Sequence, residues 1–197
     1  MRDKYKLKID KKVFFYPDQW NKFYNNLKEK QQPYFKIAIN TGARINEIRN
    51  LKVGDINFER LTLTFFITKI RAKLKETRST PRTIKISPEF AQWLQRWIRK
   101  YSLNKGDTFN IKSTPAIDKT LKLGLKKIGI ENWYDFSSHN IRKTHGNWLK
   151  ALKVDGIEIA TRLGHDMNTM LKHYVSADLF SEGDRALIKE ILGSLYC

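Results

Sequence analysis

The chain has 197 residues, enough to bury one sizeable core and short for two. Its 41% hydrophobic and 12% aromatic content excludes disorder, and a lone Cys197 excludes both a disulfide framework and a CxxC metal pattern. Thirty-eight Lys and Arg against 20 Asp and Glu leave +18 at neutral pH, an excess that calls for a polyanion, and nucleic acid is the commonest one in a cell.

A solvated, lysine-rich surface from an AT-biased genome is the bland reading of the same charge. No apolar run reaches the length of a membrane span, and no signal-peptide core follows the charged start MRDKYKLK. A reducing, cytoplasmic setting without membrane contact is therefore expected.

In chain order, KYKLKID (4–10) alternates basic and apolar residues, as a short strand or arm does. FYPDQWNKFYNNLK (15–28) has Pro17 and Asp18 placed to start a helix. PYFKIAINTG (33–42) ends in a Thr-Gly break, and ARINEIRNL (43–51) resumes helical spacing through Ile45, Ile48 and Leu51. From 61 to 86 the period becomes two: LTLTFFITKI and RTIKI flank a basic connection, which predicts a β-hairpin or small antiparallel sheet. SPEFAQWLQRWIRKY (87–101) is an amphipathic helix behind a Ser-Pro start. Further helices are predicted from about Pro115 to Ile128, with Gly129 as the stop, and over SSHNIRKTHGNWLKAL (137–152) behind a serine cap. Shorter ones follow at 157–163 and 168–175, and a last one runs from about Asp184 to Leu195. The class expected is α+β, mostly α-helical, with one small sheet.

Three stretches offer cations in the geometry an anion needs. Arg44 follows a Thr-Gly turn and opens a helix, and its planar guanidinium presents paired donors that match two phosphate oxygens. Glu47, three residues on, can hold it from the same face, although a surface ion pair of little weight is the alternative. His139 and Arg142 share one face of the first turn of their helix, where free N–H groups and the dipole favour an anion. A solvent-facing pair is the alternative there. In ITKIRAKLKETRSTPRTIK (67–85) seven basic residues stand against one acid, with Lys69, Arg71, Lys73 and Lys75 alternating with Ile70, Ala72 and Leu74. Such a row, with Arg78 beyond it, suits a DNA groove or backbone, or else protects a strand edge from aggregation.

In LGHDMNTMLKHYV (163–175) Gly164 can end a helix and leave His165 at a bend. Tyr174 falls on an apolar face with Met167, Met170 and Leu171, so periodicity alone makes it a core tyrosine. A phenol near its ordinary pKa of about 10 becomes a nucleophile only among cations and a proton acceptor, and Arg44, Lys69, His139, Arg142 and His165 are the candidates for both.

T-G-A-R-I-N-E-I (41–48), a hairpin lysine about 25 residues after Arg44, H-N-I-R (139–142), L-G-H (163–165) and Tyr174 nine beyond that histidine resemble, in order and spacing, the catalytic domain of the tyrosine recombinase (phage integrase) family. The resemblance runs from about residue 15 to 180 and implies that family's catalytic-domain fold. It further implies that Tyr174 attacks the scissile phosphate to form a 3′-phosphotyrosyl bond, while Arg44 and Arg142 clamp the non-bridging oxygens. By the same resemblance Lys69 protonates the leaving 5′-oxygen, His139 assists proton transfer, His165 hydrogen-bonds a phosphate oxygen and Glu47 supports. Arg71, Lys73, Lys75, Arg78 and Lys143 are the expected DNA contacts. No cofactor or metal is implied.

Two features depart from the family. Where many members carry a tight G-K-G-x-K-x-R turn, this chain has T-K-I-R-A-K-L-K-E-T-R, which leaves the general acid open among Lys69, Lys73 and Lys75. The family's N-terminal DNA-clamping domain is expected to be absent. Residues 1–197 then form one catalytic domain, with 1–14 as an arm or strand, as in a fragment or a minimal mobile-element integrase. The stripe Leu187, Ile188, Ile191, Leu192 and Leu195, within 181–197, is expected to pack on its own domain or to dock on a neighbouring protomer. Double-stranded DNA and a second copy are thus the expected partners. A topoisomerase IB-like enzyme and a non-catalytic basic DNA-binding protein are the other readings. His145, inside the Ile141–Trp148 stripe, is expected to be buried and hydrogen-bonded, and His173 to be a bystander.

Overall fold

The core starts where the sequence first becomes aromatic. The ring of Phe15, fully buried, meets Trp20, Phe23 and Phe136 with centroids 5.2, 5.6 and 4.9 Å away. The computed structural model describes residues 8–9, 12–70, 77–164 and 179–196. A minimal antiparallel pair, β1 (Lys8–Ile9) and β2 (Lys12–Val13), leads in. Where the segment was expected to be an arm or strand, it forms this strand pair, and Val13 and Phe14 are buried. The reason is polar as well as apolar. Asn140 Nδ2 donates to the Val13 carbonyl (3.1 Å), the Phe15 N–H donates to Thr144 Oγ1 (3.0 Å), and Trp148 Nε1 donates to the Phe15 carbonyl (3.0 Å).

Helix α1 (Pro17–Asn25) starts on its proline and buries Trp20 and Phe23. It stops three residues short of the predicted end, where Asn26 turns its Nδ2 back onto the Lys22 carbonyl. Helix α2 (Gln32–Thr41) ends at Gly42, whose φ of 62° is the left-handed cap that a β-carbon disfavours. Helix α3 (Ile45–Asn50) follows at once. Strands β3 (Ile56–Asn57), β4 (Thr62–Ile70) and β5 (Thr77–Lys85) form one antiparallel sheet in that order, pairing Leu63 with Ile84, Phe65 with Arg82 and Lys69 with Arg78. The two-residue β3 is too short to show a period.

Helix α4 (Pro88–Lys100) is capped by Ser87 Oγ, which accepts from the Phe90 N–H. Helices α5 (Thr114–Lys127), α6 (Ser138–Ala151) and α7 (Gly156–Leu163) fall within a residue or two of their predicted bounds. Gly129 (φ 79°) and Gly164 (φ 62°) stand where the stops were expected. Helix α6, buried along almost its whole length, packs against α2, α5 and α7 and is the central element. The helix predicted at 168–175 lies outside the described residues.

In the last helix, α8 (Glu182–Leu192), Ile188, Ile191 and Leu192 are buried on the chain's own α1, α2 and α6. Within the single chain this stripe packs on its own domain, one of the two placements weighed for it. Phe180, just before it, closes onto Phe14 and Tyr16. The fold is mostly helical with a small three-stranded antiparallel sheet. Among the described residues no helix is long and apolar enough to cross a membrane.

Candidate active site

The Arg44 side of the site follows from its local sequence. Gly42 turns the chain out of α2, and two residues on Arg44, extended with φ −71° and ψ 150°, caps α3. Glu47 occupies the third helical position, where a carboxylate meets unsatisfied N–H groups and the positive helix end. Its Oε2 accepts from the Arg44 backbone N–H at 2.7 Å and its Oε1 from Arg44 Nη1 at 3.3 Å. The same Oε2 accepts from Arg82 Nη2 at 2.7 Å. Glu47 and Arg82 are both buried, whereas the Arg44 side chain is 40% exposed. The Arg44–Glu47 contact is therefore not the surface pair that its spacing alone allowed. It is the outer edge of a buried ion-pair triad.

The other side is the start of α6. Asn140 caps it by accepting from the Ser137 N–H (2.8 Å), and Asp118 from α5 accepts from the Ser138 N–H (2.7 Å). His139 is exposed, whereas Arg142, three residues on, is only 1% exposed. The solvent-facing alternative for this pair thus does not apply to Arg142. Its Nη1 donates to the Gly42 carbonyl at 2.7 Å and its Nη2 to the Leu163 carbonyl. Two carbonyls fix the plane of the guanidinium between the end of α2 and the end of α7.

These elements enclose a cavity of about 460 Å³ lined by Arg44, Asn46, Glu47, Asn50, Phe66, Ser138, His139 and Arg142. The sequence-predicted residues Arg44, Glu47, His139 and Arg142 are thus brought together. Phe66 of β4 adds an aromatic ring, 51% exposed, at its rim. Lys143, half-buried on α6, does not line it. In backbone register, Lys69 of β4 pairs with Arg78 of β5. Arg71, Lys73, Lys75, His165 and Tyr174 lie outside the described residues. Two guanidinium groups, Arg44 and Arg82, pair with the Glu47 carboxylate, and a third, Arg142, lines the same cavity, an arrangement that favours an entering anion.

Behind the cavity lies a second polar cluster. His145, fully buried, donates from Nδ1 to the Ile39 carbonyl (2.6 Å) and accepts at Nε2 from Arg162 Nε (3.2 Å). Both ring nitrogens are used by a neutral imidazole, as expected for this histidine. Burial pushes its pKa well down, and the neighbouring Arg162 adds to the shift. Arg162 also donates to the carbonyls of Lys85 (2.8 Å) and Asn40 (3.0 Å). It joins β5, α2 and α6 at the base of the site.

Arg82 and Arg162 were not singled out from the sequence. Arg82 had a signal: in R-T-I-K-I it shares strand parity with the buried Ile84 and Ile86, and a cation on an apolar face asks for a partner. Arg162 had none beyond its place in the last turn of α7.

The sequence profile of the phage integrase family matches residues 13–179. Among solved structures, XerA recombinase aligns with a TM-score of 0.65 at 16% identity, over 90% of this chain and 64% of its own. XerH site-specific recombinase, solved bound to its difH substrate in a pre-cleavage complex, gives 0.63 at 19%, over 87% of this chain and 52% of its own. The Tn1549 transposon integrase, solved with transposon right end DNA, gives 0.64 at 19%, over 91% and 66%. The chain thus spans about half to two thirds of the length of these proteins, and likeness at such identity is likeness of fold. Among curated proteins no sequence matches significantly.

Proposed function

The chain belongs to the phage integrase family, and we propose that it is the strand-cleaving and rejoining domain of a site-specific DNA recombinase acting on double-stranded DNA. The observation that carries this reading is the convergence of Arg44 and Arg142 with His139 on one cavity, each guanidinium held by different neighbours. Two preorganised guanidiniums match the non-bridging oxygens of a phosphodiester and stabilise the extra charge of a pentacoordinate phosphorus.

In this mechanism the Tyr174 oxygen attacks the scissile phosphorus and gives up its proton, with His139 assisting the transfer. The bond from phosphorus to the 5′-oxygen breaks, and Lys69 supplies the proton that makes the leaving group a hydroxyl. Lys73 and Lys75 are the alternatives for that proton. His165 hydrogen-bonds a non-bridging oxygen, and Glu47 holds Arg44. A 5′-hydroxyl of a second strand then attacks the phosphotyrosine, reversing every transfer and releasing Tyr174. Bond energy is conserved throughout, so no nucleotide cofactor enters, and the arginines supply the charge stabilisation that a divalent ion supplies elsewhere.

Arg71, Lys73, Lys75, Arg78 and Lys143 extend the contact along the DNA backbone. Such a substrate sets the place of action on DNA inside the cell. Self-association on DNA through the C-terminal helix carries a constraint. Since Ile188, Ile191 and Leu192 are buried at home, α8 must be exchanged between protomers rather than simply added to a neighbour.

A covalent trap tests the reading. The protein is incubated in EDTA with nicked duplex DNA, and a denaturant-resistant adduct is expected that disappears in Tyr174→Phe. Persistence of the adduct in that variant would remove Tyr174 as nucleophile, and strict dependence on a divalent cation would remove the mechanism. Exchange between two DNA sites, rather than relaxation of a single supercoiled circle, separates a recombinase from a nicking-resealing enzyme.

A further inference from the structure

Outside the residues already given roles, the least expected group near the cavity is the Arg82 guanidinium. It rises from β5 opposite Phe65, with its central carbon 5.2 Å from that ring's centroid. The residue is 8% exposed and does not line the cavity, so it cannot be the group that meets solvent or substrate there. Its aliphatic part lies against the turn that leads to His165: a β-carbon on Gly164 would come within 3.2 Å of Arg82 Cδ. Of its donors, Nη2 is on Glu47, and among the described residues Nε and Nη1 have no hydrogen-bond partner.

Burying a guanidinium is unfavourable unless its partners repay it, and among the described residues Glu47 is the one acid hydrogen-bonded to both Arg82 and Arg44. The pattern makes sense if the return is realised at the other end of Glu47. Among the described residues Glu47 is the only group hydrogen-bonded to the Arg44 guanidinium. The Arg44 side chain is partly exposed, so its direction depends on how firmly that carboxylate is held. The Arg44 N–H fixes Oε2 from one side and Arg82 from the other, both at 2.7 Å, which leaves Oε1 facing Arg44 Nη1. Take Arg82 away, and the carboxylate keeps only contacts to the residue it is supposed to orient.

We infer that Arg82 is a positioning residue for phosphate activation: it clamps Glu47 so that Glu47 aims Arg44. Resting on the proposed DNA-cleaving activity, this assigns a role in the chemical step to a residue that does not touch DNA. Arg82 thereby links β5 of the hairpin sheet, the Arg44 turn and the Gly164 turn in one side chain.

The test measures single-turnover adduct formation and DNA affinity side by side, on a pool of randomised nicked duplexes enriched by denaturant-resistant capture on the wild-type protein. Arg82→Met is expected to slow adduct formation by about tenfold to a hundredfold, the scale of a small misplacement of a reacting group. Its Kd for the same DNA is expected within about threefold of wild type, since no contact to DNA is lost. Arg82→Lys, which keeps the charge and one donor, is expected to recover part of the rate. Combined with Glu47→Gln, Arg82→Met is expected to add almost nothing, because both changes break one chain of contacts.

Independent, additive effects would overturn the inference, as would a loss of rate that follows loss of DNA affinity or of melting temperature. If Arg82→Met does not fold, Arg82→Lys carries the same comparison, and a wild-type rate in it with Glu47→Gln impaired would also overturn the assignment. A wild-type protein that forms no adduct defeats the proposed function and this inference with it. Arg82 variants that cleave at the wild-type rate defeat the inference alone.

Discussion

Arg142 Nη1 donates to the backbone carbonyl of Gly42 at 2.7 Å, joining two residues one hundred positions apart. The turn that delivers Arg44 is thereby the turn that aims Arg142, and neither side of the cavity is built without the other. Gly42 also meets a steric demand. A β-carbon there would lie 2.5 Å from Leu163 Cδ2 and 2.6 Å from His145 Cδ2, on a residue with φ of 62°. Gly42→Ala is expected to cost about 2–4 kcal/mol from left-handed strain and overpacking together. In a domain of this size that lowers the melting temperature by roughly 5–15 °C. A thermal melt within a degree of wild type would show that the turn yields more easily than its packing implies.

Arg142→Lys tests whether charge alone is enough. An ammonium at this buried position cannot satisfy both the Gly42 and Leu163 carbonyls while presenting a planar pair of donors to a phosphate. Adduct formation is expected to fall by at least about a hundredfold. Loss of one charged hydrogen bond to a buried carbonyl should also cost about 1.5–3 kcal/mol of stability. A single-turnover rate within threefold of wild type would mean that the fork geometry is dispensable.

His145 makes stability depend on pH in a defined direction. Its folded-state pKa is pushed down, so below the ordinary histidine value of about 6.5 the unfolded chain takes up a proton that the folded chain refuses. The stability this group contributes is complete above that value. It is lost as pH falls toward the folded pKa, at up to about 1.4 kcal/mol per pH unit. Denaturant titrations between pH 7.5 and 5 are expected to show this decline, and a His145→Asn variant, weaker at pH 7.5, a shallower one. Equal slopes in the two proteins would place the acid sensitivity elsewhere.

For the hairpin, the prediction concerns salt. If Lys73 and Lys75 neutralise phosphates, replacing both by alanine should reduce the slope of log affinity against log salt by about 1.8, at roughly 0.9 per contact. Fluorescence anisotropy across a salt series reads this directly. An unchanged slope would return the lysine row to its alternative role of protecting a strand edge.

What could be read from the sequence was what is local. Gly42 and Gly164 stop their helices where a Thr-Gly break and an L-G-H bend predict, because a left-handed cap needs only its own residue. Arg44, Glu47, His139 and Arg142 were identifiable because each sits at a helix start, a place where position along the chain fixes chemistry. What could not be read depends on partners far away. The burial of Arg142 is set by carbonyls 100 and 21 residues distant. The role of Arg82 needs Glu47, 35 residues back, and that of Arg162 needs Asn40, 122 back. Likewise, Phe14 reads as part of an arm or strand until Phe180, 166 residues on, closes over its ring.

That last attachment has a practical side. Between Val13 and Phe15 the chain is laced to α6 through Asn140, Thr144 and Trp148, on the same helix that carries His139 and Arg142. Anything joined upstream, whether an affinity tag, a tether or another folded unit, enters the molecule along the spine of its chemistry. A pull applied at the front end is transmitted through three hydrogen bonds to the helix that carries His139 and Arg142.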